Sequence, residues 1–219
     1  MRAVIFDLDG TLVDSAPGIQ GAANEMLASL GHEPIDLTSV RSFIGNGIAH
    51  LVKRVMEHAG INLSTPLHEE LTRKFTRIYT ANPTSNTALY PGVREALEHL
   101  CDEGFALGVC TNKIHAISVQ MLEALSLDQY FTSVIGGDSL PTNKPDPAML
   151  VASMAELNAE KAIFVGDSEV DAATAEAAQV PFVLFTSGYL KVPQSAVTFA
   201  ASFESFSDLG GTIAALKST

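Results

Sequence analysis

Apolar residues begin the chain almost at once. Val4-Ile5-Phe6 has no polar interruption, the pattern of a strand buried on both faces of a parallel sheet. After Asp14 the period changes. Pro17 suits a first helical turn, and Ile19, Ala22, Ala23, Met26, Leu27 and Leu30 follow 3.6-residue spacing until Gly31. A second helical stretch covers 37–44, is interrupted by Gly45-Asn46-Gly47, and resumes through Ile48, Leu51, Val52, Val55 and Met56 to Gly60. Residues 66–79 predict another helix through Leu67, Leu71, Phe75 and Ile78. No convincing strand occurs between Ser15 and Pro83, so 15–83 is a helical insert after the first strand.

Alternation starts at Tyr90-Pro91-Gly92-Val93. Strands are predicted at 105–111, 133–135, 162–165 and 182–185, separated by helical stretches through Val93–Leu100, Ile117–Leu125, 147–157 and 170–178. An edge strand is expected at 197–199 and a last helix at 207–216. Repeated strand–helix units imply a parallel sheet with right-handed crossovers. The fold class is α/β: a Rossmann-like core of residues 1–14 and 84–219 with helices on both faces, plus the small all-helical insert.

Composition narrows the function. A chain of 219 residues with 47% hydrophobic and 17% charged residues has the make-up of a soluble globular protein. No apolar run approaches the ~18 residues of a membrane span, and the opening strand leaves no room for a signal peptide. Cys101 and Cys110 lack metal or redox spacing and are expected as two buried, reduced thiols, consistent with a cytoplasmic protein. A net charge of −12 argues against nucleic acid. Any phosphate ligand would then need a local reversal of the field, from a metal ion and a few placed cations. No GxGxxG motif supports a dinucleotide.

Candidate chemistry sits at predicted strand ends. Asp7 and Asp9 share a face if the strand continues, and Gly10 allows a sharp turn behind them. Two such carboxylates call for a divalent cation, although Asp-x-Asp-Gly also makes ordinary turns. Thr111-Asn112 offers donors for phosphate oxygens or, alternatively, a helix cap. Lys144 precedes Pro145-Asp146-Pro147, where proline restricts its backbone and Asp146 can cap the helix that follows. Asp167 and Asp171 flank the start of another helix, where an acidic cap is the competing reading.

The run Phe6-Asp7-Leu8-Asp9-Gly10-Thr11-Leu12-Val13-Asp14-Ser15, with Thr111-Asn112, Lys144 and Gly166-Asp167 through Asp171, resembles the four motifs of the haloacid dehalogenase-like superfamily in order and content. At finer grain, Ile44-Gly45-Asn46-Gly47, Leu89-Tyr90-Pro91-Gly92-Val93, Thr111-Asn112-Lys113 and Gly136-Gly137-Asp138-Ser139-Leu140-Pro141 resemble its phosphoglycolate phosphatase family. Gly18 and Glu169-Val170 depart from that family's pattern, which often has an acid at the first and a basic-polar pair at the second.

The resemblance implies that 15–83 is a cap and that the activity is phosphomonoester hydrolysis of a small phosphorylated metabolite. It implies Asp7 as nucleophile and Asp9 as acid/base. Mg²⁺ would be held by Asp7, the Asp9 carbonyl and Asp167, with Asp171 behind, and Thr111, Asn112 and Lys144 would clamp the phosphoryl group. Arg41 and Asn46 are the expected leaving-group contacts from the insert. A phosphosugar mutase shares these motifs, and a non-catalytic binding protein on the same fold is the reading from another class. Neither a membrane nor a nucleic acid partner is expected, and the chain would be a monomer or homodimer.

Overall fold

The computed structural model describes residues 2–216. Its central sheet contains β1 (Arg2–Phe6), β4 (Ala106–Cys110), β5 (Ser133–Ile135), β6 (Lys161–Gly166), β7 (Phe182–Phe185) and β8 (Ala201–Phe203). They pair in parallel in the order β5-β4-β1-β6-β7-β8. The chain moves outward from β1 through β4 and β5, then returns to its other side at β6. The carboxyl end of β1 therefore lies at the switch point where open α/β sheets form a ligand crevice.

Alternation along β1 divides the core. Val4 and Phe6 join a large apolar cluster with α5 (Val93–Asp102), α6 (His115–Ala124) and α9 (Leu209–Leu216). Ala3 and Ile5 join a second cluster with α7 (Ala148–Glu156) and α8 (Glu169–Ala178). Helices thus cover both faces, as expected for an uninterrupted apolar strand. Cys110 is buried in the second cluster, but Cys101 lies on the outer side of α5 and is exposed, contrary to expectation.

Between β2 (Val13–Asp14) and β3 (Ala88–Leu89) come α1 (Ala16–Ala28), α2 (Leu37–Phe43), α3 (Gly47–His58) and α4 (Thr65–Ala81). β2 and β3 form a short antiparallel ribbon, Val13 opposite Leu89 and Asp14 opposite Ala88, where the chain leaves and re-enters the sheet layer. The four helices pack on one another through the faces that the 3.6-residue spacing marked, including Met26, Val52, Met56 and Phe75.

One strand lies elsewhere than expected. Val197 and Phe199 sit in a loop against the second cluster, and the edge strand is β8, four residues later. Phe203 sets that register. It pairs with Phe185 across the sheet and packs its ring 5.1 Å from Phe185 and 5.2 Å from Phe206. Burying a large aromatic ring outweighs the local alternation of Val197 and Phe199.

Candidate active site

β1 stops at Phe6, but the Asp7 N–H still donates to the Val165 carbonyl at 2.9 Å. The chain then winds round the Leu8 carbonyl, which accepts from the N–H groups of Thr11, Leu12 and Val13. Strand alternation therefore ends before Asp9; the turn, rather than a shared strand face, brings both carboxylates to one cavity. Gly10 has φ +89°, and a Cβ there would lie 2.4 Å from Asp167 Oδ2. Its absence lets the β6 acid approach the first motif.

Asp7, Asp167 and Asp171 are buried, each with a carboxylate oxygen within 4.8 Å of the others. Asp167 accepts from the Thr11 hydroxyl at 2.7 Å and the Tyr189 N–H at 2.6 Å. Asp171 has both oxygens occupied: one by Lys144 Nζ at 2.6 Å, the other by Ser168 through its N–H and hydroxyl. The same serine accepts the Asp171 N–H, so the pair is also the capping box of α8. The acidic-cap reading and the site reading both hold for Asp171.

Lys144 Nζ lies 3.0 Å from Asp7 Oδ1 as well, yet that oxygen is buried and accepts no hydrogen bond. Burial pushes the Asp7 carboxyl up to about 6 against the pull of Lys144, with Asp171 and Asp9 adding to the rise. Burial also raises Asp167 well above the carboxylate range, reinforced by Asp171 and Asp7. Burial opposes the Lys144 charge, but Asp171 and Asp7 outweigh it and hold that pKa high. Two acids resisting ionisation and one buried oxygen without a hydrogen bond fit a divalent, oxygen-preferring cation.

A small cavity opens beside Asp7 and Asp9. Thr111 and Asn112 line it at the end of β4. Asn112 is no helix cap, since Ile114 holds that position. Its side chain, expected on phosphate, is instead spent on backbone. Its carbonyl accepts the Lys144 N–H at 2.9 Å, and its amide donates to the Lys144 carbonyl at 3.0 Å and the Gly45 carbonyl at 2.9 Å. Lys144 is thus held by Asn112, and Asp146 accepts the Ala148 N–H at the start of α7.

Arg41 and Asn46 do not line the cavity. Arg41 pairs with Asp14 at 2.9 Å, and Asn46 is exposed while its neighbours Gly45 and Gly47 face inward. Lys113, which the Thr111-Asn112-Lys113 motif contained without a role, and Tyr79, which no motif singled out, do line it. Lys113 Nζ donates to both Asp9 oxygens at 3.0 and 3.1 Å and to the Tyr79 hydroxyl at 2.7 Å.

The profile described as haloacid dehalogenase-like hydrolase matches residues 4–185, most of the chain. The chain belongs to the haloacid dehalogenase-like hydrolases. A phosphoglycolate phosphatase of Cereibacter sphaeroides is 49% identical over 193 residues, 88% of either chain. One from Rhodobacter capsulatus is 42% identical over 211 residues, 96% of either chain. The crystal structure of a predicted phosphoglycolate phosphatase from Haemophilus somnus superposes with a TM-score of 0.90 at 31% identity, covering 95% of this chain and 96% of that one.

This haloacid dehalogenase-like hydrolase is a phosphoric monoester hydrolase. Among its described residues no helix is long and apolar enough to cross a membrane. Its departure at Gly18 has a steric cause. A Cβ there would lie 2.3 Å from the Ser85 carbonyl oxygen, so α1 can pass the loop before β3 only with glycine.

Proposed function

We propose that the chain is a Mg²⁺-dependent phosphatase that forms an aspartyl-phosphate on Asp7 and takes 2-phosphoglycolate as substrate. The observation that carries the mechanism is Asp7 Oδ1: buried, accepting no hydrogen bond, and 3.0 Å from the Lys144 ammonium. Such an oxygen keeps a lone pair beyond its contact with Lys144. The substrate reading rests on the relatives named phosphoglycolate phosphatase and on the small cavity at Asp7 and Asp9.

In this reading residues 15–83 cap the core formed by 1–14 and 84–219. The Asp7 carboxylate attacks phosphorus, and the bond to the leaving oxygen breaks as Asp9 protonates it. Water then attacks the same phosphorus, Asp9 takes its proton, and inorganic phosphate leaves as Asp7 is restored. Lys144 and the Thr111 hydroxyl face the phosphoryl oxygens, where preorganised charge contributes most of the acceleration. Asn112 contributes by holding Lys144. Asp7, the Asp9 carbonyl and Asp167 would hold Mg²⁺, with Asp171 behind them; when bound, the ion supplies positive charge to the transferring group.

The test is phosphate release from 2-phosphoglycolate. EDTA should abolish it and Mg²⁺ restore it, and Asp7→Asn should leave no acid-stable trapped phosphoprotein and almost no turnover. Full activity after exhaustive metal removal, or label on another residue, would contradict the reading.

A further inference from the structure

The wall that the helices contribute to the cavity is apolar, built from Ile19, Ile44, Ile48, Leu51 and Phe75. One polar pair interrupts it. Tyr79, from α4, is 3% exposed and accepts a hydrogen bond from Lys113, while its own hydroxyl hydrogen has no acceptor among the described residues. Lys113 is the one cation among the residues lining the cavity, and it lies 4.7 Å over the Tyr79 ring. Lys144, by contrast, is buried on Asp7 and Asp171.

We propose that Tyr79 and Lys113 form a subsite for a second anionic group on the substrate, a carboxylate one or two carbons from the ester oxygen. The inference rests on the phosphatase reading above and specifies its substrate class. The leaving oxygen must meet Asp9 to be protonated. Lys113 Nζ is 3.0 Å from that same carboxylate, so only an anion close to the ester oxygen can reach it. A carboxylate there accepts the unspent Tyr79 O–H and shares the ammonium with Asp9. Without Lys113 between them, two carboxylates would repel across a low-dielectric cavity.

Two esters of equal length separate the claims: 2-phosphoglycolate, and ethyl phosphate, in which methyl replaces the carboxylate. Phosphate release from ethyl phosphate by the Mg²⁺-loaded wild type tests the phosphatase reading alone. The subsite is tested by the ratio of kcat/KM for the two esters. The wild type should prefer phosphoglycolate. Tyr79→Phe, which keeps the ring and its contact with Lys113, should lower that preference about tenfold, and Lys113→Met about a hundredfold. Inhibition by glycolate should weaken in Tyr79→Phe by about the same tenfold. A preference and a glycolate inhibition constant within about twofold of wild type in Tyr79→Phe would overturn the subsite, whatever Lys113→Met does to Asp9 or to folding. Hydrolysis of neither ester by the wild type would remove the phosphatase reading, and the subsite with it.

Discussion

Asp7 carries a conflict that the metal-free protein cannot resolve. Its carboxyl is displaced from an ordinary 3.8 to about 6, chiefly by burial. A raised carboxyl pKa means that the folded state resists ionisation. The penalty is absent below about pH 4, grows as pH rises, and is complete above about pH 6, where it amounts to about 3 kcal/mol. Metal-free protein should therefore lose stability between pH 4 and 6 through this residue. At pH 7.5 metal-free Asp7→Asn should melt several degrees above metal-free wild type, at ~2–4 °C per kcal/mol for a chain of this size. Thermal melts in EDTA check this, and a lower melting temperature for the variant would count against it. Asp7 was legible in the sequence because its motif is long and contiguous. Lys113 stood in a quoted motif, but its role was not legible, because only the tertiary approach of α4 shows that it is enclosed on Tyr79. Arg41 misled for the converse reason, since its charge suited a carboxylate and the carboxylate it found was Asp14.

The four strand ends that carry the chemistry follow from patterns the sequence displays openly: apolar runs, then polar residues where each run stops. Boundaries held to within a residue or two except at β8, whose register depends on aromatic packing far away in sequence. β2 and β3 are two residues each and leave no periodic trace. At α8 one local motif serves two ends, because the Ser168 hydroxyl that caps the helix also fixes the Asp171 oxygen opposite the one Lys144 takes. Ser168→Ala should cost about 1 kcal/mol of stability, as loss of an N-cap does. It should also slow turnover, because Asp171 then holds Lys144 less firmly. Urea unfolding together with kcat checks both. A stability loss with kcat untouched would separate the cap from the site.

Across the whole molecule the charge balance is −12; two buried lysines offset part of it at the site, and each ties distant parts together. Lys144 joins β1 to α8, and Lys113 joins β4 to α4. The sequence supplied the layers; which residues bridge them depended on contacts 27 or more positions apart. Asn112 is the sharpest case, since one side-chain amide binds the Lys144 loop and the Gly45 loop together. Its two hydrogens are distinguishable, because rotation about an amide C–N bond is hindered by ~18–20 kcal/mol. The one on Gly45 is only partly shielded, and the one on Lys144 is buried. One functional group thus runs two clocks: if the helical segment lifts, the first hydrogen meets water while the second stays sealed. In a nitrogen-15 exchange spectrum the two Asn112 side-chain signals should decay at different rates, the Gly45 partner faster. Equal rates would mean that the two loops open as one.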